Sequence, residues 1–212
     1  HTTAFPLIAP HGMVPNTEFV SSASEHFGFF NNEGDADAIM RWITAVRIMD
    51  GKIMPSLSLK MATNILDRIP VIFFDDFGVE DITLMHPEDD EDLIKIPVDH
   101  KGHGRILINH LGPGETIPHF SLWDAYNNSF TKEQKASLKG RSLILGPTAI
   151  AINDQRANPF DAGINGVENH AAMVDNILTK SFMTRSADIY QTELAIVLAI
   201  GLVFSPIMIF GK

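Results

Sequence analysis

The sequence predicts an α/β domain, a mixed sheet with flanking helices, followed by a C-terminal transmembrane helix. Three observations predict it. Residues 140–178 read as a strand, a long polar loop and a helix. Upstream, short apolar runs and helix-capping signals follow one another along the chain. At the end, residues 194–210 (LAIVLAIGLVFSPIMIF) carry no charge.

The first of these is the most informative. Residues 142–145 form an apolar run that breaks at Gly146, the pattern of a buried strand feeding a loop. The loop, residues 147–165, holds Asp154, Arg156, Asn158, Pro159 and Asp161. Beyond it Val167, Ala171, Val174, Ile177 and Leu178 recur at helical spacing. A polar loop at the C-terminal end of a strand is where open α/β sheets tend to bind ligands.

Taken in order, residues 1–16 are rich in Pro and Gly and read as an irregular lead-in. Residues 17–30 combine a short helical stretch with FGFF, and residues 31–37 form a turn. Residues 38–49 alternate roughly, Asp50-Gly51 is a two-residue hairpin signal, and residues 52–54 return. Pro55 at the first helical position, with Ser56 beside it, opens a helix bearing Leu57, Leu59, Met61, Ile65 and Leu66. Strands are expected at 71–74, at 82–85 within an acidic, loop-like stretch 80–92, and at 105–109. The sequence GPGE (112–115) is then a turn. Ser121 caps a helix through Tyr126, and Thr131 caps another through Leu138 with Glu133 and Gln134 in its first turn.

The apolar stretch 194–210 is about the shortest length that crosses a bilayer. Pro206 is tolerated in a membrane helix, and Lys212 beyond it obeys the positive-inside rule. A buried hydrophobic helix is the other reading of the same residues. Composition narrows the function. With 212 residues there is room for one domain with a sizeable core. A net charge of -10 argues against nucleic acid and against adsorption to an anionic membrane surface. Zero cysteines exclude disulfides and zinc–thiolate sites. The chain begins at His1 without a signal peptide, and is expected to be a piece of a longer protein.

Side chains that carry chemistry give weak leads. Asp35 and Asp37 read as a turn whose carboxylates bind backbone amides, rather than as a cation site. His100 and His103 in DHKGHG belong to an exposed loop, with no further metal ligands indicated. Gly146-Pro147-Thr148 lacks a phosphate-loop pattern, although the Thr148 hydroxyl is available to a ligand. Glu168 and His170 open a helix after Asp154 and Asp161, an Asp/Glu/His set that invites a hydrolase reading. Neither GxSxG nor HExxH is present, Glu168 suits a helix N-terminus through the macrodipole alone, and two residues of separation turn the pair apart. No catalytic residue, metal site or cofactor is assigned.

Three blocks resemble the type-2 CHASE domain family in order and spacing. They are FGFFNNEGDADAIMRWITAVRIMDGKIMPSLSLKMA (27–62), ILINHLGPGETIPHFSLWDA (106–125), and GRSLILGPTA (140–149) with Asp154, ANPF (157–160) and INGVENHAAMVDNIL (164–178). In this chain Pro147 replaces the family's usual Ala, Asn169 a common Ile or Val, and Trp42 one of a pair of arginines. The resemblance implies an N-terminally incomplete extracytoplasmic sensory domain over 1–188, on the periplasmic side of the inner membrane. Residues 189–212 would begin the transmembrane region. It further implies a cytoplasmic output module: a class III adenylate/guanylate cyclase by preference, or a histidine kinase, diguanylate cyclase or Ser/Thr kinase. The helix 167–178 is expected to run on through 181–191 into the membrane and relay the signal. Ligand-contacting candidates are Asn109, Gly146, Thr148, Asp154, Pro159, Gly166, Glu168 and His170. The expected partners are an unknown small-molecule or protein signal, a second copy in a homodimer, and the membrane through the C-terminal helix, with no nucleic acid. The rivals are a periplasmic hydrolase using Asp154, Glu168 and His170, and a purely structural dimerisation domain.

Overall fold

The structure is a computed structural model that describes residues 7, 12, 14–148 and 154–210. A single helical turn, α1 (Glu18–Ser21), precedes β1 (Trp42–Thr44), β2 (Val46–Met49) and β3 (Lys52–Pro55). Asp50 and Gly51 both take positive φ, 49° and 73°, as a two-residue turn between twisted strands requires, and β2 pairs with β3 in register across them. Helix α2 (Leu57–Leu66) follows at once. Pro55 is not its first residue as the sequence suggested, because it ends β3 opposite Val46. Ser56 is the N-cap, its hydroxyl accepting from the Leu59 N–H at 3.2 Å.

Strands β4 (Ile69–Asp75), β5 (Gly78–Met85) and β6 (Leu93–Pro97) form an antiparallel meander. Asp75 closes its first turn by accepting from the N–H groups of Phe77 and Gly78. The sequence reading missed β6, whose alternation of exposed Leu93 and Lys95 with buried Ile94 and Ile96 lies directly after the acidic run. Strand β7 (Arg105–Leu107) pairs antiparallel with β1. Every ladder among the described residues is antiparallel. Parallel pairing is confined to the isolated bridges Phe29–Ser56 and Ile39–Ala157.

After two short surface helices, α3 (Leu122–Tyr126) and α4 (Lys132–Leu138), comes the hairpin β8 (Gln155–Arg156) and β9 (Ile164–Asn165). Both helices start at the capping residues expected, with a full capping box at Thr131 and Gln134. Residues 142–145 do not form the strand expected there: Leu143 and Leu145 are 65% and 76% exposed. A short apolar run becomes a strand only with a neighbour to complete its ladder. The rest of the loop, 149–153, lies outside the described residues.

Helix α5 (Gly166–Thr179) packs along α2, and the two lie over the strands. Leu59 and Ala62 of α2, with Met173 and Ile177 of α5, share one buried cluster with Ile43, Val46, Ile82, Leu84, Ile96 and Ile106. Burying each large aliphatic side chain there stabilises the fold by roughly 1.5–3 kcal/mol.

The expected continuous helix into the membrane is broken. Lys180 takes the left-handed conformation and ends α5, with the Ser181 N–H donating to the Asn176 carbonyl. The chain then runs extended past β7, where Met183 bridges Leu107, before α6 (Ala187–Phe210) begins. Its stretch Asp188–Ser205 is long and apolar enough to cross a membrane and none of it is buried against the domain.

Candidate ligand-binding cleft

The start of α5 separates two environments. Asp154 lies over its N-terminus: the Gly166 N–H donates to the Asp154 carbonyl at 2.8 Å, and a Cβ at Gly166 would fall 2.6 Å from the Asp154 carboxylate. A larger residue here would push the Asp154 carboxylate away from the positive end of the helix, which it faces. Two residues on, Glu168 is 7% exposed and turns toward the loop after β7. Its Oε2 accepts the Glu115 N–H at 2.9 Å, while Oε1 has longer approaches from Asn165 Nδ2, 3.4 Å, and His119 Nε2, 3.7 Å.

His170 points the other way, into the α2 interface. Its Nε2–H donates to the Phe30 carbonyl at 3.0 Å, leaving Nδ1 to accept the Ser58 hydroxyl at 2.7 Å. Burial holds its pKa below the usual histidine value, outweighing the Phe30 carbonyl and the Asp154 charge. Both ring nitrogens are therefore engaged, and Ser58 is fully buried. Asp154, Glu168 and His170 do not converge on one reacting centre.

A cleft of about 530 Å³ opens on the Glu168 side, between the 113–121 loop, the β8–β9 hairpin and the first turn of α5. Gly114, Glu115, His119, Thr148, Asp161 and Glu168 are among its walls. A second, smaller space of about 20 Å³, room for one water, is bordered by Glu168, His110 and Asn158. Among the described residues no three His, Cys, Asp or Glu side chains are grouped to hold a metal ion.

The candidates thus part company. Thr148 and Glu168 line the cleft. Asp154 and Gly166 shape the helix end beside it, and Gly146 lies against Val167, where a Cβ would come within 2.6 Å. Pro159 is exposed in the loop that Asn158 closes by accepting from the N–H groups of Phe160 and Asp161. Asn109 sits elsewhere. Buried Asn176 holds its backbone, accepting the N–H at 2.8 Å and donating to the carbonyl at 2.9 Å, and the Asn109 amide donates to Ser181 at 2.8 Å.

The other leads are structural. Asp35 and Asp37 both bind Arg41, which holds the Asp37 carboxyl down to about 2, and Asp37 also accepts the Ile39 N–H. His103 contacts buried Asp99 at 3.1 Å, and His100 stacks on Tyr190 of α6. Sequence reasoning missed Gly114, Glu115 and His119 as cleft residues. GPGE read only as a turn, and nothing in a linear pattern brings it to Glu168, 53 positions away. Asn169, which stands where the resembled family often has Ile or Val, is 2% exposed with its Oδ1 unpartnered.

A folded α/β body carries a polar cleft and is followed by an exposed apolar helix long enough to cross a membrane, an arrangement compatible with a membrane-attached sensory domain. Comparison with family models agrees: residues 5–207 match the CHASE2 domain. The chain belongs to this family of extracytoplasmic sensory, non-catalytic domains of receptor proteins. Comparison with curated proteins and with solved structures returned no match.

Proposed function

We propose that the chain is the signal-sensing part of a bacterial inner-membrane receptor, with the body on the periplasmic side and α6 crossing the membrane. Occupancy of the cleft, or a change in domain packing, is passed to a cytoplasmic output module. A class III adenylate/guanylate cyclase is favoured, with a histidine kinase, diguanylate cyclase or Ser/Thr kinase as the other outputs. One observation carries the relay. Asn109 holds Ser181 of the segment leading to α6, and five residues later the same stretch reaches Gly114 in the cleft wall. The Leu107–Met183 bridge and the His100–Tyr190 stack fasten the same junction. A ligand that favours one position of the 110–121 loop thereby favours one position of α6. The receptor is proposed to work as a homodimer, in keeping with exposed Leu122, Trp123 and Tyr126 on α3.

Because the chain has no cysteine, topology is directly testable. In intact spheroplasts a membrane-impermeant maleimide should label Lys132→Cys on exposed α4, and label Lys212→Cys only after permeabilisation. The opposite pattern sinks the reading. In the receptor, a two-glycine insertion after Arg185 should uncouple output from signal, and an unchanged response would remove the relay.

A further inference from the structure

We propose that the turn between β4 and β5 rests on the membrane surface, with the Phe77 ring inserted among lipid headgroups beside the start of α6. The inference rests on the reading of α6 as a membrane span, and gives the body a second point of contact with the bilayer.

The backbone brings the turn to that place. Met183 bridges Leu107 in the antiparallel sense, so the segment leaving α5 runs back along β7 toward Arg105. Phe182 packs against the buried cluster and fixes this segment on the body. Helix α6 therefore starts near the end of β7 that residues 99–104 enter. His100 of that loop stacks on Tyr190, with ring centroids 6.3 Å apart, within the range of an aromatic pair. The β4–β5 turn lies against the same loop. The Val79 N–H donates to the Gly102 carbonyl at 3.0 Å, and a Cβ at Gly102 would fall 2.2 Å from the Phe77 carbonyl oxygen. With Gly102 at a φ of 73°, no side chain separates the two turns.

The level follows from helix geometry. Tyr190 stands one helical turn before Leu194, where the uncharged stretch begins. At a rise of 1.5 Å per residue it lies about 6 Å above the hydrocarbon, inside the headgroup layer. Aromatic rings concentrate at that depth. The loop that stacks on Tyr190, and the turn packed on that loop, share its neighbourhood.

Phe77 is the residue that exploits this position. It occupies the tip of the turn and is 74% exposed, although Gly78 and Val79 directly after it are buried. A lone exposed apolar side chain is ordinary on a protein surface. Its place beside a membrane helix is what gives this one a partner. Asp75, accepting from the N–H groups of Phe77 and Gly78, fixes the backbone that carries the ring. Charge selects the lipid. Exposed Asp75 and Asp76 outnumber exposed Lys101 of the neighbouring loop, so anionic lipid is not the attractant. A zwitterionic surface, met through the ring, suits the turn.

The experiment uses the full chain in phosphatidylcholine nanodiscs, and the lack of native cysteine makes single-site labelling direct. An environment-sensitive fluorophore on Asp76→Cys is read against lipid carrying a headgroup nitroxide, with Lys132→Cys on α4 as the control. A fluorophore on Val203→Cys, read against an acyl-chain nitroxide, reports insertion of α6. Headgroup quenching should be at least threefold stronger at position 76 than at 132. Adding Phe77→Ser should at least halve the quenching at 76 while leaving the melting temperature unchanged. Quenching at 76 no stronger than at 132, with 203 quenched, overturns the proposal and leaves the span standing. No quenching at 203 removes both. Quenching at 76 that survives Phe77→Ser also overturns it, because the fluorophore and not the ring would then be seeking the lipid. Self-quenching between labelled copies, without nitroxide quenching, assigns the turn to a second copy of the chain instead and overturns it as well.

Discussion

Glu168 and His170 stand two residues apart on one helix, equally buried, and live in opposite worlds. His170 has a fixed partner on each ring nitrogen, from α2 and from the Phe30 loop. Glu168 spends one oxygen on a backbone N–H, and the other has only the longer contacts to Asn165 and His119 at the wall of an open cleft. The first arrangement joins elements; the second leaves capacity for something that comes and goes. Burial and titratable chemistry alone therefore do not mark a site. What marks it is whether hydrogen-bonding capacity has already been used within the fold.

The comparison is broken most forcefully on the packed face. Ile177→Ala empties a fully buried position between α5, α2 and the strands, and should cost about 2–5 kcal/mol, read as a drop in denaturation midpoint. Replacing His170 by Ala strands the buried Ser58 hydroxyl, at about 1–3 kcal/mol, whereas the Phe30 carbonyl keeps the Asn32 amide at 3.4 Å. Glu168→Gln keeps an acceptor for Glu115 and should cost only about 1 kcal/mol. A larger loss for Glu168→Gln than for His170→Ala would erase the distinction between the two sides.

Acid sharpens the same contrast. Burial lowers the pKa of His170, and of His110, which donates to the Met40 carbonyl. The folded state thus favours neutral rings, while the unfolded chain takes up protons as pH falls below about 6.5. Below that value the unfolded state binds more protons. Stability is fully present above it and declines as pH falls toward the lowered folded-state values. In urea titrations at pH 7.5 and 5.5 the parent chain should be less stable at the lower pH, and His170→Ala should lose part of that difference. Equal pH dependence in parent and variant would show that the His170 ring is not held neutral.

How far the sequence speaks follows the range of the forces involved. Turns and caps were legible because they are local: Asp50-Gly51 makes its hairpin, and Ser121 and Thr131 start their helices. The helix 167–178 and the apolar end were legible because their periodicity, or its lack, reports burial and exposure over many residues. Residues 142–145 misled because a strand depends on a neighbour that no local pattern names. The break at Lys180 was hidden for another reason. A lysine in the left-handed conformation has no signature, and it is held there by bonds to Asn176 and Ile177 carbonyls. The cleft was half legible, with Thr148 and Glu168 named from their own segment. Gly114 and His119 reach it only through the long-range contact with Glu168.

The smallest expected effect tests the junction that sequence alone concealed. Asn176→Ala would strand both backbone groups of Asn109, with losses of about 1–3 kcal/mol each. Asn109→Ala leaves those bonds in place and removes only the side-chain bond to Ser181, worth about 0.5–1.5 kcal/mol. Because α5 closes on its own carbonyls before Ser181, this loss should fall on the connecting segment and not on the helix. Hydrogen exchange is the suitable measure, since it reads local opening apart from global stability. Amide exchange at residues 181–183 should quicken in Asn109→Ala while that of α5 stays as in the parent. If both quicken together, the segment is part of the core rather than a joint between the core and α6, and the sensor would have to move its membrane helix as one rigid piece with α5.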